Sequence, residues 1–173
     1  MRVARASCSR SNEPGGVIRR ATIVAVGRLK GWADEGVEDY AGRLRRYFPV
    51  DVVEVADEDM NRRSAEEVLA AEGGRLLKKL PESAYTVALD RERGKRLGSE
   101  EVAARLDSLG TAGKSHVAFL LGGPLGLSSR ALAASDEAWS FGAVTLPHAL
   151  ARVVLLEQVY RGVKIGRGEK YHW

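Results

Sequence analysis

From about residue 21 onward, short apolar runs alternate with longer segments whose apolar residues recur at every third or fourth position. The short runs are rich in β-branched residues, which is typical of buried parallel strands. The longer segments have the spacing of amphipathic helices. Strands that alternate with helices predict an α/β fold, in which a single-domain parallel sheet carries helices on both faces.

The pattern predicts five strands and five helices. The strands are expected at residues 22–26, 50–55, 85–89, 116–121 and 143–146. The helices are expected at residues 32–47, after the capping pair Ser64 and Glu67, after Ser99 as N-cap, at residues 130–135, and from Pro147 to about Lys164.

Residues 1–20 differ from the folded part, residues 21–173, because they combine Arg, Ser, Asn, Pro and Gly with few large apolar side chains. This composition predicts a disordered N-terminal extension, with a basic arm on RNA phosphates as the alternative. The whole chain of 173 residues carries 27 Lys and Arg against 23 Asp and Glu. A net charge of +4 is compatible with an RNA partner but does not select one.

Cys8 is the only cysteine, so the chain can form no intramolecular disulfide and no cysteine-based metal site. A reducing cytoplasm is the expected location. No apolar run reaches the ~18 residues of a membrane-spanning helix, so no membrane partner is expected. His116, His148 and His172 are far apart in sequence, and no metal is expected.

Ligands of open parallel sheets bind beyond the carboxyl ends of the strands, so the segments after the strands are the candidate sites. Neither G-x-G-x-x-G nor G-x-x-x-x-G-K-[ST] occurs, which argues against a nucleotide-binding enzyme of the Rossmann or flavodoxin type. Residues 120–128 instead read L-L-G-G-P-L-G-L-S. Glycines allow a ligand to approach the backbone closely, although a tight turn without a ligand has the same composition.

The second candidate segment is S-F-G-A-V-T-L-P-H at residues 140–148. This C-terminal region runs on through T-L-P-H-A-L-A-R at residues 145–152, L-E-Q-V-Y-R at residues 156–161 and Tyr171-His172. Together with T-I-V-A-V-G at residues 22–27 and the glycine segment, it resembles the SPOUT class of RNA methyltransferases. Within that class the match is to the ribosomal RNA large subunit methyltransferase H family. The resemblance covers residues 21–173 in order, spacing and length.

The resemblance implies a C-terminal trefoil knot, a homodimer and S-adenosylmethionine as methyl donor. It implies transfer to N3 of a pseudouridine in 23S rRNA, position 1915 in the usual bacterial numbering, on the assembled ribosome. The implied donor contacts are Leu89, Gly123, Gly142, Ala143, Val144, Thr145, Leu146 and Pro147.

The imide proton of the target base must leave during methylation, which gives catalytic roles to three residues. His172 titrates near neutral pH and is the candidate for proton transfer, and Tyr171 could stack on or orient the base. Arg152, like Arg161, could hold a phosphate or offset the charge of the imide anion. Ala149 and the tail Gly168-Glu-Lys-Tyr-His-Trp173 depart from the usual family pattern, which puts the contacts of the tail in doubt.

Other interpretations remain open from the residues alone. The chain could methylate tRNA or another rRNA site, which substrate profiling would separate, or it could be a non-catalytic ribosome-binding protein that no longer binds the donor. Arg152 could form an ion pair with Glu157, and Asp90 could contact the methyl donor or cap the turn after its strand, of which capping is favoured. Candidate phosphate contacts are Arg28, Lys30, Arg43, Arg45, Arg46, Arg62 and Arg63, most of which would serve equally well on solvated helix faces.

Overall fold

The computed structural model describes residues 17–171. The predicted N-terminal extension therefore lies outside the described residues except for its last four. The first strand begins at Arg20, two residues earlier than predicted.

The elements are β1 (Arg20–Val26), α1 (Trp32–Leu44), β2 (Val50–Val55), α2 (Ala65–Lys79), β3 (Tyr85–Leu89), β4 (Lys95–Arg96), α3 (Ser99–Thr111), β5 (His116–Leu121), α4 (Ser129–Ala133), β6 (Glu137–Ser140) and α5 (His148–Gly166). They form one six-stranded sheet in the order β2-β1-β5-β3-β6-β4. All five strand pairs are parallel, which confirms the predicted α/β architecture.

Side chains of β1, which lies between β2 and β5, alternate between two cores, one on each face of the sheet. Ile23 and Ala25 pack with residues of α1, α3 and α5, and Phe119 of β5 meets Trp139 of β6 edge-on in this core, with ring centroids 5.5 Å apart. Val24 and Val26 point to the opposite face and pack with residues of α2 and α4. Helices thus cover both faces, as predicted.

The predicted strand at residues 143–146 is wrong, because that segment is a loop and the strand beside β3 is β6. Apolar, β-branched residues favour a strand, but tertiary pairing decides which segment occupies the position. Trp139 contributes a large buried ring there, whereas Val144 is 72% exposed. β4 went unpredicted because it has only two residues, both paired to the end of β6.

Several predicted helix boundaries shift by a few residues. Helix α1 ends at Leu44, and the short helix covers Ser129–Ala133. The capping box of Ser64 and Glu67 is confirmed. Ser99 is not an N-cap, since the helix begins after Gly98, whose N–H donates to the Glu101 carboxylate at 2.8 Å.

Helix α5 packs between α1 and α3 at close range. A Cβ on Gly36 of α1 would lie 3.2 Å from Val153 of α5, and one on Gly162 of α5 would lie 3.1 Å from Val102 of α3. These small residues let the helices approach, and they fix where the N-terminus of α5 stands relative to the sheet. Within residues 17–171, no helix has the length and apolar character needed to cross a membrane.

Candidate active site

A cavity of about 660 Å³ opens at the carboxyl ends of β3, β5 and β6. This is where ligands bind to open parallel sheets, and the volume lies within the ~300–1,000 Å³ typical of small-molecule sites. Four segments line it: residues 89–93, residues 121–127, residues 139–148 without Ala143, and a helix-side group of Ser129, Leu132 and Ala151.

The glycine segment after β5 forms a tight turn that leaves no room for a side chain at residue 122. A Cβ on Gly122 would lie 2.1 Å from the carbonyl oxygen of Gly126, so residue 122 must be glycine for this turn to close. The N–H of Gly126 donates to the Gly123 carbonyl at 2.9 Å, and Gly126 has a φ of 81°. The three glycines of the turn therefore bring backbone to the cavity, beside Pro124, Leu125 and Leu127.

Glu72 of α2 stands behind this turn, and sequence reasoning missed it. Its side chain is 2% exposed, and Oε1 accepts the Glu58 N–H at 3.0 Å, whereas Oε2 has no partner among the described residues. A Cβ on Gly123 would lie 2.9 Å from that free oxygen. Burial raises the pKa of Glu72, assisted by the charge of Asp57 and opposed by the Glu58 N–H and Arg75.

The turn after β3 is held rigidly by Asp90. Its Oδ1 accepts the N–H groups of Glu92 at 2.9 Å and Arg93 at 2.7 Å, which confirms the prediction that Asp90 caps this turn. Arg91 then reaches across the cavity mouth, and its Nη1 donates to Oγ1 of Thr145 at 2.6 Å. This bond joins two of the segments that line the cavity.

The loop after β6 contributes most of the residues predicted to contact a methyl donor. Gly142 has a φ of 109°, and the Ser140 hydroxyl donates to its carbonyl at 3.3 Å. Of the eight predicted residues, the cavity is lined by seven: Leu89, Gly123, Gly142, Val144, Thr145, Leu146 and Pro147. Ala143 is exposed and does not line it, and donor contact by any of them stays a prediction.

Arg152 is not part of the cavity lining, although its neighbour Ala151 is. It is 1% exposed, with Nη1 donating to Glu54 Oε1 at 2.8 Å and Nη2 donating to the carbonyls of Val26 and, at 2.7 Å, Gly27. Its predicted ion pair with Glu157 is wrong, because Glu54 is the partner. The guanidinium thus ties α5 to the ends of β1 and β2, and it has no exposed surface for a phosphate.

Glu157 instead organises the C-terminal segment. It accepts from Arg161 Nη2 at 2.6 Å and from the Tyr171 hydroxyl at 2.7 Å, and the Arg161 guanidinium stacks 4.0 Å from the centre of the Tyr171 ring. Burial and the Glu157 carboxylate raise the pKa of Tyr171. Tyr171 is not part of the cavity lining, and His172 lies outside the described residues.

Several lining residues escaped sequence reasoning. Trp139, Phe141 and His148 line the cavity. Trp139 was missed because its strand, β6, was not predicted, whereas Phe141 and His148 lay inside the second candidate segment without a stated functional role. Arg91 and Arg93 carried a signal that could have found them, because they directly follow a predicted strand. Residues 17–171 contain no cluster of three or more His, Cys, Asp or Glu side chains that could hold a metal ion.

Comparison with known proteins agrees with this geometry. The family model described as "Predicted SPOUT methyltransferase" matches residues 20–172. A protein of Rubrobacter xylanophilus named ribosomal RNA large subunit methyltransferase H is 66% identical over 158 residues, which is 91% of this chain and 100% of the relative. A protein of Listeria monocytogenes with the same name is 48% identical over 155 residues, 87% of this chain and 97% of the relative.

Solved structures support the fold. A probable methyltransferase from Bordetella pertussis has a TM-score of 0.50 at 17% identity, covering 84% of this chain and 96% of that one. A putative methylase family protein from Neisseria gonorrhoeae has a TM-score of 0.51 at 13% identity, covering 85% and 84%. Because the family model matches residues 20–172, nearly the whole chain, the chain belongs to the SPOUT methyltransferase family and is a methyltransferase.

Proposed function

We propose that this methyltransferase transfers the methyl group of S-adenosylmethionine to N3 of a pseudouridine in 23S rRNA on the assembled ribosome. The observation that carries the proposal is the cavity, which lies at the carboxyl ends of three strands and is lined by the family's motif residues. The relatives from Rubrobacter xylanophilus and Listeria monocytogenes align with this chain over 100% and 97% of their length, and their names support ribosomal RNA as substrate. A cytoplasmic location accompanies a ribosomal substrate.

The residues of the cavity fit the donor. A volume of about 660 Å³ accommodates a nucleoside joined to an amino acid, and the Gly122–Gly123 turn offers backbone groups at close approach. Leu89, Leu121 and Leu127 supply apolar surface for a base. When bound, the donor supplies a methyl group already activated on a sulfonium, so the protein mainly positions the reactants.

The acceptor side requires removal of a proton from the ring nitrogen. His172 is our candidate for that proton, and Tyr171 for orientation of the base. Arg152 acts as a positioning residue, because its buried guanidinium joins α5, whose first turn lines the cavity, to the ends of β1 and β2. Arg161, stacked on Tyr171, keeps the positive charge that could offset an imide anion.

We further propose that a homodimer brings the tail to the cavity. Tyr171 is bound to Glu157, which lies six residues beyond Ala151 on α5, or about 9 Å along the helix from the cavity lining. In a homodimer, the tail of the second copy could reach the cavity of the first copy, which the first copy's own Tyr171 does not line. Trp32, Leu125 and Val144 are 63%, 40% and 72% exposed at the carboxyl edge of the sheet, and a subunit interface would cover them.

A C-terminal trefoil knot belongs to the same proposal. Two observations support it: β5 and β6 flank the earlier strand β3, and α5 then returns beneath the sheet between α1 and α3. Its test is slow refolding of the urea-unfolded chain, since threading adds a step that a simple α/β chain lacks. Refolding within milliseconds would argue against a knot.

The direct test of the reaction is methyl transfer from labelled S-adenosylmethionine to ribosomes from cells that lack the modification. Label in large-subunit RNA is the expected result. Label confined to tRNA or to another ribosomal RNA site would keep the enzyme class and change the substrate. Absence of transfer, together with absence of donor binding, would favour a ribosome-binding protein without catalytic activity.

The role of His172 has its own test. We expect His172→Ala to reduce the rate of transfer by about 100-fold or more, with donor binding unchanged. Tyr171→Phe keeps the ring and removes the hydroxyl, so it serves as the milder comparison. Full activity of His172→Ala would remove this histidine from the mechanism.

A further inference from the structure

The turn between β3 and β4 carries a concentration of positive charge next to the cavity. Residues 90–96 read D-R-E-R-G-K-R, and all four basic side chains are exposed. Arg91 is bound to Glu92 at 2.8 Å, so these two charges offset each other. Arg93, Lys95 and Arg96 form no salt bridge with any of residues 17–171.

The backbone beneath these three cations is fixed in place. Asp90 binds the Arg93 N–H, and the Gly94 N–H donates to the Asp90 carbonyl at 3.0 Å. A Cβ on Gly94 would lie 2.4 Å from the backbone of Trp139, so the turn fits tightly on the end of β6. Lys95 and Arg96 then pair with the last two residues of β6.

Charges on an edge strand also prevent unwanted strand pairing. That role would explain Lys95 and Arg96, which lie in β4, but it would not explain Arg93. Arg93 lies outside the strand and lines the cavity, while Lys95 lines the adjoining groove of about 410 Å³ next to Trp139. The three cations lie within four residues, a stretch of at most about 10 Å. Neighbouring phosphates of one RNA strand can match that spacing.

The structure assigns to Arg93, Lys95 and Arg96, here called the basic lip, the role of binding the RNA backbone that flanks the target nucleotide. This inference rests on the proposed function, because a nucleotide whose base enters the cavity must carry its own phosphates past the cavity mouth. Side chains that hold phosphates position the RNA and add salt-dependent affinity without reading its sequence.

The test compares two triple variants of the full chain. Arg93→Gln, Lys95→Gln and Arg96→Gln neutralise the basic lip. The matched control replaces Lys78, Lys79 and Lys114 by Gln. These lysines are exposed, form no salt bridge with the described residues and lie at the end of α2 and in the turn before β5, at the amino-terminal edge of the sheet. Co-sedimentation with ribosomes is measured across a salt series, and the affinity for S-adenosylmethionine by calorimetry.

We expect the basic-lip variant to bind ribosomes about tenfold or more weakly near 0.1 M salt. The slope of log affinity against log salt should fall by about two, and donor affinity should stay unchanged. Equal ribosome binding by the two variants, or weaker binding with an unchanged salt slope, would overturn the inference. If ribosome binding depends on the basic lip but the chain transfers no methyl group, the inference about the basic lip is supported and only the proposed function is contradicted.

Discussion

Arg152 on α5 donates through Nη1 to Oε1 of Glu54 on β2, with 2.8 Å between the two atoms. The same guanidinium also holds the carbonyls of Val26 and Gly27 at the end of β1. One buried side chain thus fixes α5, whose first turn lines the cavity, against the ends of β1 and β2. Burial lowers the pKa of Arg152, while Glu54 opposes that shift.

Removal of this guanidinium should destabilise the fold. Arg152→Met is expected to lower the free energy of unfolding by about 3 kcal/mol, because Glu54 and two backbone carbonyls lose their donor in a buried setting. Urea unfolding at constant chain concentration measures it. Arg43→Met, which removes a half-exposed arginine paired with Asp39 at i,i+4, should cost no more than about 0.5 kcal/mol. A cost for Arg152→Met as small as that of the control would contradict this account.

The glycine turn should tolerate no side chain at residue 122. Gly122→Ala places a Cβ 2.1 Å from the Gly126 carbonyl, so the turn must shift, and we expect the dissociation constant for S-adenosylmethionine to rise about tenfold or more. Gly42→Ala is the control, because its Cβ meets open space on helix α1. It should leave donor affinity unchanged and stabilise the helix by about 0.5–1 kcal/mol. Unchanged donor affinity in Gly122→Ala would place the donor elsewhere.

Glu72 should make stability depend on pH in a direction opposite to that of most carboxylates. Its folded-state pKa is raised above the ordinary value near 4.5, so ionisation is penalised only in the folded protein. The chain therefore loses stability as pH rises from about 4.5 through the raised pKa. Glu72→Gln, which cannot ionise, should gain stability relative to the unsubstituted chain over that interval. A difference between the two that stays constant from pH 4.5 to 8 would rule out this linkage.

The bond between Arg91 and Thr145 should restrain the loop at residues 141–147. Thr145→Val removes the acceptor, and we expect donor affinity to fall several-fold while stability changes by less than about 1 kcal/mol, since both side chains are exposed. Thr145→Ser keeps a hydroxyl and should restore affinity. Thr111→Val, at the exposed end of α3, is the control for the substitution itself. Failure of the serine variant to restore binding would remove the hydroxyl from the explanation.

The sequence predicts the strands whose formation depends on local residue pattern, and it fails where packing between distant residues decides which segment joins the sheet. Strands β2, β3 and β5 match their predicted residues. β3 and β5 are short runs that are largely buried, whereas β2 lies at the edge of the sheet, includes Asp51 and Glu54 and is only partly buried. The strand predicted at residues 143–146 has the apolar character of β3 and β5, but β6 takes the place beside β3 through the packing of Trp139 on Phe119. That competition between two segments depends on tertiary contacts that no local pattern contains.

The site shows the same division. The glycine turn and the loop before Pro147 were found because their composition is unusual, and both line the cavity. The ion-pair partner of Arg152 could not be predicted, because Glu54 lies 98 residues away in the sequence. Glu157, five residues after Arg152 on the same helix, was the more obvious carboxylate. Glu72 was invisible as well, since a glutamate within an amphipathic helix is ordinarily exposed and only the approach of the glycine turn buries it.

The most direct measurement is mass spectrometry of the nucleotide methylated by this chain on ribosomes that lack the modification. We predict one methyl group on N3 of a pseudouridine in 23S rRNA, and none on ribosomes in which the corresponding uridine has not been converted to pseudouridine. A methyl group on any other atom, or equal methylation of the two kinds of ribosome, would contradict the proposed reaction.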